Sequence, residues 1–263
     1  MTAAWYGWRP DTPDHNDHPF AMRAARAQPL PELVDLRPWC PPVMNQGPVG
    51  SCTAHGVTGA ARFHIIRRAT TYDFEMSRLQ LYYDTRALEG TTASDAGAEI
   101  RNAIKTLAKK GVGHEELWPY DVACFAASPP PEIYDDAVQY QALSYERVEV
   151  SAYALKQALA AGRPVVIGVS VYESFESDAV GGTGLVPMPQ RGERLVGGHC
   201  MYAVGYGQKP GTFTLRNSWD TDWGDAGDCY FPEAYLASSR YGSDYWVINL
   251  FGSQAEGEAN ASS

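Results

Sequence analysis

Hydrophobic spacing divides the chain into a helical half followed by a strand-rich half. From Ser51, the run SCTAHGVTGAARFHIIRRA predicts a helix, with Ser51 at its N-cap and Arg67 and Arg68 as a basic last turn. Apolar positions recurring every three or four residues predict further helices over 77–88, 98–110 and 152–161, the second of them stopped by Gly111. Between them SPPPE, at 128–132, breaks the chain. The pattern then turns to apolar runs and alternation over 165–171, 201–207, 212–216 and 245–250, with Gly and Pro between them, which predicts strands. Helices first and strands second imply an α+β fold of two lobes with a cleft between them.

The two ends differ from this body. Residues 1–32 carry Pro10, Pro13, Pro19, Pro29 and Pro31 among Trp5, Tyr6 and Trp8. Proline excludes a helix there, and the aromatic side chains supply surface for docking, so this segment reads as an extended arm. The compact domain is expected over 33–252, with a helical lobe at about 45–150 and a β lobe at about 151–250. A polar tail of the type SQAEGEANASS, expected to be disordered, completes residues 253–263.

Composition narrows the function. Of 263 residues, 44% are hydrophobic and 12% aromatic, which is ample for a core. A net charge of −10 argues against nucleic acid or anionic membranes as partners, because both are bound by clustered Lys and Arg. The longest apolar run, PVVIGVSV, is far short of the roughly 20 residues that span a bilayer. No secretory signal is visible in MTAAWYGWRPDTPD, and the expected location is cytoplasmic. Five cysteines (Cys40, Cys52, Cys124, Cys200 and Cys229) form neither a CxxC pair nor an even set, so a disulfide framework is not indicated.

Cys52 differs from the others in its setting. It opens the first helix, whose positive end favours thiolate over thiol. Gly47 and Gly50 just before it allow a substrate backbone to approach, and the Cys52 amide faces the same space. Gln46 offers a side-chain N–H, the second donor that an oxyanion hole requires. A thiolate nucleophile further needs a base and a group to orient that base. His199, in GGHCMYAVGYG, is placed at the mouth of a strand, and Asn217, in RNSWDTDWG, at the end of the next.

The blocks QGPVGSC, GGHCMYAVGYG and RNSWDTDWG resemble the three motif blocks of the papain-like cysteine peptidases, in the family's order. The likeness extends over roughly residues 33–250, and a bacterial type with an N-terminal arm and a DAGAEI block is the nearer match. It implies a papain-like fold and a thiol endopeptidase with a Cys-His-Asn triad and an acyl-enzyme. Position by position, Cys52 resembles the nucleophile, His199 the general base and acid, Asn217 the residue that orients the imidazole, and Gln46 the oxyanion donor. Trp219 matches the tryptophan that shields the His–Asn hydrogen bond, and Gly97 the glycine that pairs with an extended substrate. Gly168 and Gly198 are expected to line a small-walled, uncharged pocket for the substrate's second residue.

Departures from the pattern matter as well. The family usually pairs a cysteine three residues before the nucleophile with one just before the substrate-binding glycines; here Val49 and Ser94 stand at those positions, and both members are absent together. Thr53 replaces the tryptophan after the nucleophile. No metal or organic cofactor is implied, and the DHNDH cluster in the arm reads as a polar turn rather than a metal site. His55 reads as a packed helix residue and Cys200, next to His199, as a buried thiol facing away from the site. The partner is a peptide or protein substrate, and the arm is expected to pack along the cleft and restrain activity. Two other functions fit the same residues: an acyl transferase or peptide ligase, and a non-catalytic peptide-binding homologue.

Overall fold

A computed structural model describes residues 6–20, 29–68 and 73–252. Trp5 and the tail at 253–263 lie outside the described residues. One lobe is built on α1 (Cys52–Arg67), α2 (Arg78–Glu89) and α3 (Ile100–Lys110). The other is a seven-stranded antiparallel sheet in the order β4-β9-β5-β6-β7-β8, with β2 (Val34–Asp35) added on β6. Its long members are β4 (Gln141–Val148), β5 (Val165–Tyr172), β6 (Leu195–Tyr206) and β9 (Gly242–Gly252), completed by β7 (Thr212–Arg216) and β8 (Asp228–Pro232). Short helices α4 (Glu132–Ala137), α5 (Ala152–Ala160), α6 (Asp178–Thr183) and α7 (Glu233–Leu236) connect them. Among the described residues no helix is long and apolar enough to cross a membrane.

Four differences from the sequence reading have physical causes. β4 joins the sheet by pairing with β9, so the helical lobe ends before residue 141 rather than near 150. Its polar Ser144, Glu146 and Arg147 mask the strand pattern, but they lie on the last strand of the sheet, met on its outer side by the arm at Pro19. β6 starts at Leu195, which puts His199 inside a strand rather than at its mouth: Gly197 and Gly198 stay in the ladder opposite Val171 and Ser170. β8 is only five residues long and was not anticipated. Ser51 does precede α1, but its side chain caps nothing; the hydroxyl meets Tyr120 Oη at 2.5 Å instead.

Helix α1 lies against β6 and carries the nucleophile candidate on its first residue. Eleven of its residues are buried, which is why its sequence shows no polar stripe. Close approach depends on two glycines. A Cβ on Gly56 would lie 2.9 Å from Cys200 Sγ, and one on Gly59 would lie 2.7 Å from the Tyr202 ring.

Replacing Gly59 with Ala sets two effects against each other. Helix propensity favours Ala by about 1 kcal/mol. Overpacking against the buried Tyr202 ring costs typically about 1–3 kcal/mol. The steric term wins, and Gly59→Ala is expected to lower the melting temperature by a few degrees in a calorimetric scan. A higher melting temperature would contradict this packing.

Candidate active site

Backbone geometry brings the separate motif blocks to one place. Cys52 starts α1, and the strand opposite supplies His199 from β6, fully buried, while Asn217 stands one residue past the end of β7. The Asn217 Oδ1 lies 2.7 Å from His199 Nε2 and also accepts the Ser218 backbone N–H at 2.8 Å. Because the amide N–H of Ser218 can only donate, Oδ1 is the acceptor for both, and Nε2 must carry the imidazole proton. Nδ1 is then the basic nitrogen, and among the described residues it has no hydrogen-bond partner.

The imidazole is enclosed by rings. Trp219 packs on it, tilted by 31°, with centroids 5.0 Å apart. Phe175 closes a further side at 6.5 Å and packs on Trp219 at 5.4 Å. Phe175 gave no signal in the sequence, since it sits in a short loop helix far from any motif block.

Gln46 is buried beside this group. Its Nε2 donates to Val49 O at 2.9 Å, and its Oε1 accepts from Ser218 Oγ at 2.6 Å. Gln46 N also donates to Ser218 O at 2.9 Å, so this side chain and its backbone are tied to the residue after Asn217. The loop before Cys52 and the loop after β7 are therefore held in one register.

The cleft above Cys52 is filled by the chain's own arm. β1 (Trp8–Arg9) pairs in parallel with β3 (Ala98–Glu99), and the carbonyl of Gly7 accepts from Ala98 N at 2.7 Å. Gly7 N–H reaches Cys52 Sγ, which also receives Thr53 N–H and, at 3.4 Å, Cys200 N–H. The Trp8 indole covers both expected pocket glycines: a Cβ on Gly168 would lie 2.1 Å from the ring and one on Gly198 2.7 Å from it. Tyr6 packs edge-on against His199 at 5.9 Å and donates from its hydroxyl to Glu176 at 2.7 Å. Gly97 pairs with the arm through its neighbour, Ala98, while its own N–H donates to Tyr82 Oη at 3.2 Å.

Past the cleft the arm is pinned by carboxylates. Asp11 accepts from Arg101 N at 3.0 Å and from Trp246 Nε1 at 2.8 Å, and burial, then the nearby Asp244, raises it to about 6. The acidic members of the DHNDH cluster pair with bases: Asp14 with Lys105 at 3.2 Å, and Asp17 with Arg147 at 2.8 Å. Among the described residues no group of three or more His, Cys, Asp or Glu is placed to hold a metal ion.

With the arm in place the site is dry, and its charges are suppressed. Burial pushes the Cys52 thiol up, and the N–H groups of Cys200, Gly7 and Thr53 only partly offset this. Burial lowers His199 to about 4, against the hydrogen bond it donates to Asn217. His55, one turn along α1, is also buried and falls to about 3, with Nδ1 facing Ser51 O at 3.1 Å; it packs there as expected. Cys200 is buried with its sulfur toward α1, facing away from His199.

A profile of the papain family cysteine proteases matches residues 30–236, and the chain belongs to this family. It is a cysteine-type peptidase. The chain is 38% identical over 213 residues to an uncharacterized peptidase C1-like protein of Acanthamoeba polyphaga mimivirus, a match spanning 78% of this chain and 68% of the viral protein. It is 29% identical to cathepsin K of Gallus gallus over 75% of this chain and 57% of that longer protein. Among solved structures, xylellain, a cysteine protease from Xylella fastidiosa, superposes with a TM-score of 0.86 at 35% identity, covering 93% of this chain and 95% of xylellain. A digestive procathepsin L 3 of Tenebrio molitor shares the fold at TM-score 0.70 and 20% identity, over 89% of this chain and 74% of its own.

The suppressed charges give a direct expectation. A thiol raised above its ordinary value stays protonated at pH 7, and an imidazole lowered to about 4 is neutral there. The full-length chain should thus show no thiolate ultraviolet absorbance attributable to Cys52 at pH 7, measured as the difference from Cys52→Ala. A clear thiolate band at that pH would contradict it.

Proposed function

We propose that this chain is a thiol endopeptidase held inactive by its own N-terminal arm. In this reading Cys52 is the nucleophile, His199 the base and acid, Asn217 the residue that orients the imidazole, and Gln46 a donor to the developing oxyanion. The observation that carries it is the shared register of these four around one cleft, with Oδ1 of Asn217 fixing the proton on His199 Nε2.

The chemistry starts once the arm leaves and water and peptide enter. The Cys52 proton passes to His199 Nδ1, and the ion pair so formed is stabilised by the start of α1 and by solvent. Sulfur attacks the peptide carbonyl, whose oxygen becomes negative and is met by the Cys52 N–H and the Gln46 amide. The imidazolium returns its proton to the leaving amine, which departs and leaves a thioester. His199 then takes a proton from water, the hydroxide displaces sulfur, and the acid product leaves.

The seated arm stands in the way of the same chemistry, with the Gly7 backbone against Gly50 and Gly97. Substrate access is also closed, since Trp8 fills the space over Gly168 and Gly198 and Tyr6 covers His199.

Gly7 offers the means of test. A Cβ there would lie 1.8 Å from Gly50 O, so Gly7→Val in the full chain must push the arm out of the cleft. Hydrolysis of an internally quenched peptide should rise at least tenfold in Gly7→Val and vanish when Cys52→Ala is added. A rate no higher than that of the unaltered chain would rule out inhibition by the arm, and hydrolysis surviving without Cys52 would rule out its role.

A further inference from the structure

The cleft has two rims whose separation sets where a bound peptide lies relative to Cys52. One is the loop from Gln46 to Ser51, the other the turn from Asp95 to Ala98. Val49 and Ser94, at the positions where the family usually bridges these rims, cannot form a covalent link. Hydrogen bonds span the gap instead. The Asp95 carboxylate accepts Gly50 N–H with both oxygens, at 3.0 and 2.9 Å. It also accepts the Tyr82 hydroxyl, and Tyr82 Oη in turn accepts Gly97 N–H at 3.2 Å. Both glycines at the ends of this chain touch the arm's Gly7.

Tyr82 is itself held rigidly. Its ring is fully buried in α2, and the Arg86 guanidinium, also buried, lies 4.0 Å over it. Arg86 donates to the carbonyls of Thr92 at 2.9 Å and Ser94 at 2.8 Å, which ties the turn back to the same helix. The stacked ring and guanidinium thus form a fixed post, with the turn lashed to it on one side and Gly50 on the other. The atoms fixed are backbone atoms of the rims, which is what distinguishes this arrangement from ordinary packing of α2.

We propose that Tyr82 and Asp95 are positioning residues for peptide hydrolysis, holding Gly50 and Gly97 at the separation that aligns a peptide bound along residues 97–98 with Cys52. The proposal rests on the peptidase reading above. It assigns a role to two side chains that touch neither substrate nor the reacting atoms.

The test uses the full chain carrying Gly7→Val, with two readouts: hydrolysis of a quenched peptide, which needs the 97–98 edge, and alkylation of Cys52 by iodoacetamide, which does not. Tyr82→Phe removes one hydroxyl from a buried ring without changing its shape. It is expected to lower kcat/KM by about tenfold, mainly through KM, the size expected from losing hydrogen bonds that align a substrate. Alkylation should stay within about twofold. Asp95→Asn, at a half-buried position, should act in the same direction and carries the test if Tyr82→Phe does not fold. The double variant should be little worse than the poorer single one, because both changes break one chain of bonds. A kcat/KM within about twofold of the parent, or a parallel fall in hydrolysis and alkylation, would overturn the positioning role alone. A Gly7→Val parent that neither hydrolyses peptide nor reacts at Cys52 would overturn the peptidase reading beneath it.

Discussion

Everything in the cleft depends on bare backbone meeting bare backbone at Gly7. On one side a Cβ at Gly7 would lie 1.8 Å from Gly50 O; on the other, one at Gly97 would lie 2.0 Å from Gly7 O. Gly97 is further fixed by a φ of +68°, a conformation that side-chain-bearing residues rarely adopt. That contact sets the arm's register. Once Gly7 is seated, Trp8 falls over Gly168 and Gly198, and Tyr6 falls on Gly197 against His199. In the proposed reading an extended peptide would use the same surfaces, so that arm and substrate would compete for one edge.

Electrostatics reinforces what packing begins. A cysteine and a histidine that share a proton gain from being charged only where water, dipoles or each other stabilise the charges. Under the arm both are dry, and burial drives each toward its neutral form. The arm therefore opposes the proposed chemistry in two ways, by occupying the edge and by holding the thiol protonated. Charges lost from the cleft reappear at its far end, where Asp14 and Asp17 meet Lys105, Arg101 and Arg147 on the body. The pairs of Lys105 and Arg147 are partly exposed and contribute modestly each, whereas Arg101 is buried; together they fix the chain's path out of the cleft.

Much of the site was legible because its chemistry is written in short local strings. Cys52 at a helix start, His199 among glycines and Asn217 beside tryptophan are each recognisable without knowing the contacts between them. The arm was legible as proline-broken and aromatic, but which ring fills which space was not, since that follows from the glycine contact between segments far apart in sequence. Phe175, Ser218, Tyr82 and Asp95 were missed for the same reason. Ser218 and Asp95 act through partners 172 and 45 residues away, Tyr82 through Asp95 and Gly97 across the turn that follows α2, and Phe175 sits in a short loop helix with no pattern of its own. Strands β4 and β8 escaped through mixed polarity and brevity, and with β4 went the boundary between the lobes.

The central claim is that the arm, and not an incompetent site, keeps Cys52 from a peptide. Labelling with a peptidic epoxysuccinyl thiol reagent, located by mass spectrometry in the full-length chain and in Gly7→Val, addresses it most directly. The account expects slow labelling of the unaltered chain and fast labelling of Gly7→Val, in both cases at Cys52 and at no other cysteine. Equal rates in the two chains, or no labelling of Cys52 in Gly7→Val, would contradict it.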